Sequence, residues 1–114
     1  MLDLSQFYGT ENYYKASILY DLKLTDGVEY LRQKGNCFWL IDIIGSYQYK
    51  LKNESFQVWK LRKLNDNWEV TCTDGNYKKL IKQKLEYSEF EEQTGLTEIE
   101  LFLEGGVVML PSER

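Results

Sequence analysis

The chain has 114 residues, a net charge of −4 and a pI near 4.9. A chain of this size is read as one domain, residues 1–114, burying roughly two thirds of the surface it would expose unfolded, so its core requires no metal or disulfide. The mild acidity argues against a general phosphate-backbone binder, and 43% hydrophobic content with a single proline argues against disorder. The absence of histidine removes the Ser-His and Cys-His nucleophile systems and the commonest zinc ligand.

In chain order, Leu2, Leu4, Phe7 and Tyr8 within Met1 to Gly9 predict a short amphipathic helix. Lys15 to Leu24 reads as a first strand, with Leu22 and Leu24 on one side and Asp21 and Lys23 on the other. Asp26 with Glu29 forms an acidic version of the capping box, predicting a helix from about Gly27 to Lys34. Gly35 is placed to end that helix in the left-handed conformation and Asn36 to cap the next. The following stretch, Asn36 to Gln48, is apolar on every side of a helical wheel, which predicts a buried helix reaching about Lys50.

The period then changes. Phe56 to Leu64 reads as a strand, Asn65 to Asn67 as a turn, and Trp68, Val70 and Cys72 alternate with Glu69, Thr71 and Thr73 as a half-buried strand. Asp74-Gly75 predicts a type I′ hairpin, followed by a returning strand with Ile81, Leu85 and Tyr87 inward and an acidic loop from Glu89 to Thr97. Ile99, Leu101 and Leu103 alternate with glutamates, and Gly105-Gly106 turns the chain into Val107 to Leu110. The expected fold is α+β: an N-terminal strand and two helices packed on an antiparallel β-meander of four to five strands. Cys37 and Cys72 lie in apolar contexts without metal spacing and read as buried thiols. With no signal peptide and no apolar run of membrane length, the expected location is the cytoplasm, away from any membrane.

The most pointed chemistry is Asp42, a lone acid in an apolar helix, with Ser46 one turn later. As a catalyst it is a buried acid or base facing a cleft with Ser46, Gln48 and Asp26 nearby. As a structural group it accepts hydrogen bonds from Thr10, Asn12, a tyrosine or an indole and pins the helix to the N-terminal segment. Thr10-Glu11-Asn12-Tyr13-Tyr14 has a composition suited either to contacting a partner or to capping backbone groups. Trp39 and Trp59 complete the candidate binding residues. Seven glutamates between Glu86 and Glu104 can steer a basic protein partner.

Several strings taken together, Gly9-Thr10-Glu11-Asn12-Tyr13-Tyr14, Thr25-Asp26-Gly27-Val28, Trp39-Leu40-Ile41-Asp42 with Ser46-Tyr47-Gln48, Val58-Trp59-Lys60-Leu61, Asp74-Gly75-Asn76 and Leu110-Pro111-Ser112-Glu113, resemble an uncharacterised family of small bacterial and phage-associated proteins, a domain of unknown function. The resemblance spans nearly the whole chain. It implies no activity; a phage or plasmid association points towards a host or defence component as target. The functional expectation is a non-catalytic protein-binding domain, without cofactor or nucleic acid, whose partner is another protein or a second copy as a homodimer. The alternative is a small acid/base enzyme using Asp42 beside the central helix.

Overall fold

The computed structural model describes all 114 residues. In chain order the elements are β1 (Tyr14–Lys15), β2 (Lys23–Leu24), α1 (Asp26–Lys34), α2 (Phe38–Ser46), β3 (Phe56–Lys63), β4 (Trp68–Thr73), β5 (Lys79–Leu85), α3 (Phe90–Thr94), β6 (Glu98–Glu104) and β7 (Val107–Met109), with 3₁₀ turns at Gln48–Lys50 and Pro111–Glu113. The fold is α+β. All strands join one mixed sheet in the order β1-β2-β7-β6-β3-β4-β5, antiparallel throughout except between β2 and β7.

Five of these strands form the antiparallel block expected, but not as a meander. β3, β4 and β5 follow one another as hairpins, and β6 then returns across them to pair with β3 on its far side, a Greek-key arrangement. Burial explains the order. β6 sends Leu101 and Leu103 into the core, so it belongs inside the sheet, whereas β5 exposes Lys79, Lys82 and Lys84 and suits an edge. Trp59, Leu61, Val70, Cys72, Leu101 and Leu103 share one core with Val28 and Leu31 of α1 and Leu40, Ile41 and Ile44 of α2. The opposite face carries the ion pairs Lys60–Glu100, Arg62–Glu69 and Lys82–Glu69.

The first twenty-five residues depart from the periodicity. Met1 to Gly9 holds no helix; Leu2, Leu4 and Phe7 pack on the core from an irregular segment tied at both ends, by Leu2 N to the Thr94 carbonyl at 2.6 Å and by Ser112 Oγ to the Phe7 carbonyl at 2.6 Å. The expected strand over Lys15 to Leu24 is two short strands paired with each other, because Ser17 Oγ accepts the Leu19 amide at 3.0 Å and turns the chain out between them. Leu22 and Leu24 are buried as the alternation predicts.

Helix α1 is capped by Thr25, whose hydroxyl accepts from Val28 N at 3.4 Å, and not by Asp26 with Glu29. Glu29 instead pairs with Arg32. Gly35 has a right-handed φ of −87°, and the left-handed residue is Asn36, at φ 49°. What requires glycine at position 35 is space: a Cβ there would lie 2.7 Å from the Leu31 carbonyl and 2.9 Å from Thr94 Cγ2. Asn36 caps nothing; Cys37 is the boundary residue of α2, and its thiol donates to the Leu31 carbonyl.

Helix α2 stops at Ser46 and is buried on one side only. Phe38, Asp42 and Ser46, four residues apart, form its exposed stripe. Asp74 to Lys78 is a five-residue loop closed by the Asp74 carboxylate, which accepts from Asn76 N at 2.8 Å and Lys78 N at 3.2 Å. The two-residue turn with φ positive at both positions is Gly105-Gly106, at 60° and 77°. Tyr87 points outward, 72% exposed, and the acidic loop contains α3, whose Phe90 is buried edge-on against Trp68 at 5.8 Å between ring centroids. No helix is long and apolar enough to cross a membrane.

Candidate functional site

A concavity with an apolar lining lies where α2 faces the end of β5 and the start of α3. Trp39 and Ile43, one turn apart on α2, form one wall, and Leu85 and Phe90 form the other; Glu89 and Gln93 stand at its rim. Its volume is about 430 Å³, within the usual range for ligand sites. The short helix α3 builds the second wall because Phe90, a lone aromatic in an acidic run, is pulled into the core and draws Glu89 and Gln93 to the edge. Of this site, the sequence singled out Trp39 as a binding residue and Glu89 as one of the glutamates that can steer a basic partner. Phe90 within that acidic run is the signal that could have located the rest.

Asp42 lies on the exposed stripe of α2, so the expectation of a buried acid is corrected: the nine-residue helix lies along the sheet with one side in solvent, and position 42 falls on that side. Its carboxylate accepts from the Tyr20 hydroxyl at 2.6 Å. Burial, and then the bond to Asp42, push the Tyr20 phenol above its ordinary value. The surrounding loop, Ala16 to Leu22, is held a second time by Arg32. This guanidinium donates to the Ala16 carbonyl at 2.9 Å, pairs with Glu29 and lies 4.8 Å from the Phe38 ring centroid. Tyr20 thus fills the structural role foreseen for a tyrosine partner of Asp42, joining α2 to the N-terminal segment.

The other expected neighbours of Asp42 are engaged elsewhere. Ser46 Oγ donates to the Ile43 carbonyl at 2.7 Å within its own helix. Gln48 Nε2 donates to the Ile44 carbonyl at 2.9 Å and to Gln57 Oε1 at 3.0 Å, and its Oε1 accepts from Gln57 Nε2 at 2.9 Å. Gln57, 1% exposed, also accepts the Trp59 indole N–H at 2.9 Å. Trp59 is therefore a core residue fixed by a polar network, not part of an open surface.

Asp26 belongs to a third group, at the start of α1. It accepts the Glu11 amide at 2.9 Å while its own amide donates to Thr10 Oγ1 at 2.8 Å, and the Thr10 hydroxyl donates to the Asn12 carbonyl at 2.7 Å. The Glu11 amide, with Tyr14 and Asn12, holds the Asp26 carboxyl below the usual carboxylate range; reciprocally, the Tyr14 phenol is raised by Asp26. Thr10, Glu11, Asn12 and Tyr14 thus act as capping groups for this turn, while Tyr13 is exposed. Beside them, Glu113 accepts from the Thr25 hydroxyl at 2.6 Å, Gly27 N at 2.9 Å and Leu110 N at 3.0 Å, closing the C-terminus onto α1.

The expected residues are thus divided among four places rather than gathered in one cleft. No three acidic or cysteine side chains lie close enough together to hold a metal ion. No curated protein and no solved structure matches the chain. A family model matches residues 2–114, and the chain belongs to that family, DUF6876, described as a family of unknown function.

Proposed function

We propose that this protein is a non-catalytic protein-binding domain that docks an amphipathic segment of another protein in the groove beside Trp39. The observation that carries the reading is the makeup of that groove: half-buried Trp39, Ile43 and Leu85 give it an apolar surface reachable from solvent, backed by the buried Phe90 and edged by Glu89. Tryptophan is a frequent energetic anchor of protein interfaces, and a polar rim around an apolar centre is their usual anatomy. Glu86, Glu89 and Glu92 put negative charge around this end of the molecule, which favours a partner with basic residues beside its apolar anchor. The phage association implied by the resemblance makes a host or defence component the first class of partner to examine.

The test compares immobilised wild-type chain with Trp39→Ala, Glu89→Lys and Asp42→Asn in capturing protein from a host lysate, followed by reconstitution with the purified partner. A one-to-one complex weakened roughly thirtyfold by Trp39→Ala, weakened by Glu89→Lys and unchanged by Asp42→Asn is the expected result. Binding indifferent to Trp39, or turnover of a small molecule lost in Asp42→Asn, overturns it; the second outcome establishes the acid/base enzyme instead.

A further inference from the structure

β6 is paired along its whole length on one side and along only half of it on the other. β3 covers Glu98 to Glu104, but β7 reaches only from Glu104 to Phe102 before the chain leaves at Leu110. The phase of the ladder then determines which groups are left over. The Gly105-Gly106 turn closes on the Glu104–Val107 pair, so the even-numbered residues of β6 direct their N–H and C=O towards β7. Two bonds agree with this: Leu64 N to the Asn67 carbonyl assigns the even residues of β3 to β4, and Lys63 N to the Thr97 carbonyl assigns the odd ones to β6. Beyond the end of β7, therefore, the backbone groups of Glu98 and Glu100 face outward with no hydrogen-bond partner.

They face a groove of about 450 Å³, bounded on its far side by Leu4 and at its end by Leu110 and Pro111. We propose that this half-edge is a second docking site, separate from the Trp39 groove, which takes an extended segment of a partner protein by strand addition, the segment alternating basic and apolar residues. Backbone pairing supplies the affinity, and alternating pockets supply the choice of sequence. Side chains opposite Glu98 and Glu100 fall on the sheet face of these two carboxylates; Lys60 lies 3.8 Å from Glu100, while Arg62, opposite Glu98 in register, pairs with Glu69, which leaves the Glu98 carboxylate without an ion pair and favours a cation beside it. Side chains opposite Ile99 fall on the other face, beside Leu4 and Leu110, and apolar groups are favoured there. Four residues of β6, Glu98 to Leu101, set the length of the pairing at roughly 10 Å.

The test uses the full chain, labelled for NMR, and a blocked hexapeptide alternating lysine and valine, with an alternating glutamate–valine peptide and a three-lysine, three-valine block peptide as controls. In the free protein the Glu98 and Glu100 amides exchange with solvent much faster than those of Ile99 and Leu101, which are bonded to β3. The lysine–valine peptide protects them and shifts Leu4 and Ile99 saturably; the controls do not. Glu100→Pro removes an outward N–H and no β3 bond, and weakens peptide binding about tenfold with the tryptophan emission of the fold retained. Should that variant not fold, Glu98→Lys with Glu100→Lys gives the same loss through charge. Trp39→Ala leaves peptide binding intact, which separates this site from the groove of the proposed function. Slow exchange at Glu98 and Glu100 in the free protein, equal binding of the block peptide, shifts confined to Trp39, or a chain that occupies the edge by self-association overturns the proposal.

Discussion

The Tyr20 hydroxyl donates to the Asp42 carboxylate at 2.6 Å, and its ring lies so close over Gly45 that an added Cβ would come within 2.5 Å of ring carbon Cε2. The residue with the sharpest chemical profile in the sequence is thus one end of a strap that holds Ala16 to Leu22 across α2, and Ile18 and Leu19 at its tip are 89% and 84% exposed.

Tyr20→Phe and Asp42→Asn are each expected to cost about 0.5–1.5 kcal/mol with the fold retained, and a double-mutant cycle in urea to return most of that as coupling. Gly45→Ala displaces the ring itself and costs about 1–3 kcal/mol. The pH dependence follows from the raised phenol: the folded state holds the Tyr20 proton more tightly than the unfolded one. The stability this contributes is complete below pH 10 and falls as pH rises above it. The alkaline loss of stability is therefore shallower in Tyr20→Phe than in wild type. Equal slopes would contradict the buried, bonded phenol.

Glu113 holds three groups at once: the Thr25 hydroxyl, the Gly27 amide and the Leu110 amide. Its removal uncaps α1 and frees the C-terminal turn together. Glu113→Ala is expected to lower stability by about 2–3 kcal/mol, and deletion of residues 111–114 by a similar amount. Hydrogen exchange at Val28 and Leu31, buried in α1, should rise in step with the loss measured by denaturant.

Gln57 bridges the Trp59 indole and the Gln48 amide inside the core. Gln57→Leu leaves the indole N–H and both polar atoms of the Gln48 amide without this partner, at a cost of about 1–3 kcal/mol. The buried, bonded Trp59 indole proton is expected to exchange slowly in the wild type and faster, relative to global unfolding, in the variant. An unchanged rate would mean that another group replaces the glutamine oxygen.

Both cysteines are buried free thiols, and burial pushes each up to about 12, with Glu54 and Asp74 adding to the effect at Cys72. Thiolate is the reactive form, so neither should react with a disulfide reagent at pH 8 in the native protein, and both should react on unfolding. Rapid modification of one thiol without denaturant would place it outside the core.

Much of the local structure was legible because it follows from nearest neighbours in the chain. The alternation of Trp68, Val70 and Cys72 and of Ile99, Leu101 and Leu103 marked two strands, and Gly105-Gly106 marked the tight turn from the second of these into β7. Asp42 was legible as an unusual residue but not as an exposed one, since a wheel apolar on most sides does not reveal which sector faces the sheet. The spacing of Phe38, Asp42 and Ser46 was the available clue. The candidate groove was legible at Trp39 and, as a steering charge, at Glu89, but not as one site, because its second wall comes from residues some fifty positions later.

What the sequence by itself determined is the set of apolar periods and turn residues, and hence most strands, α1 and the buried cysteines. Only the tertiary structure decided that β6 crosses to the far side of β3, that β2 pairs in parallel with β7, and that Glu113 caps a helix 86 residues earlier in the chain. The physical reason is that strand order and capping from afar are chosen by which faces bury together, a property of the whole core and not of any one segment.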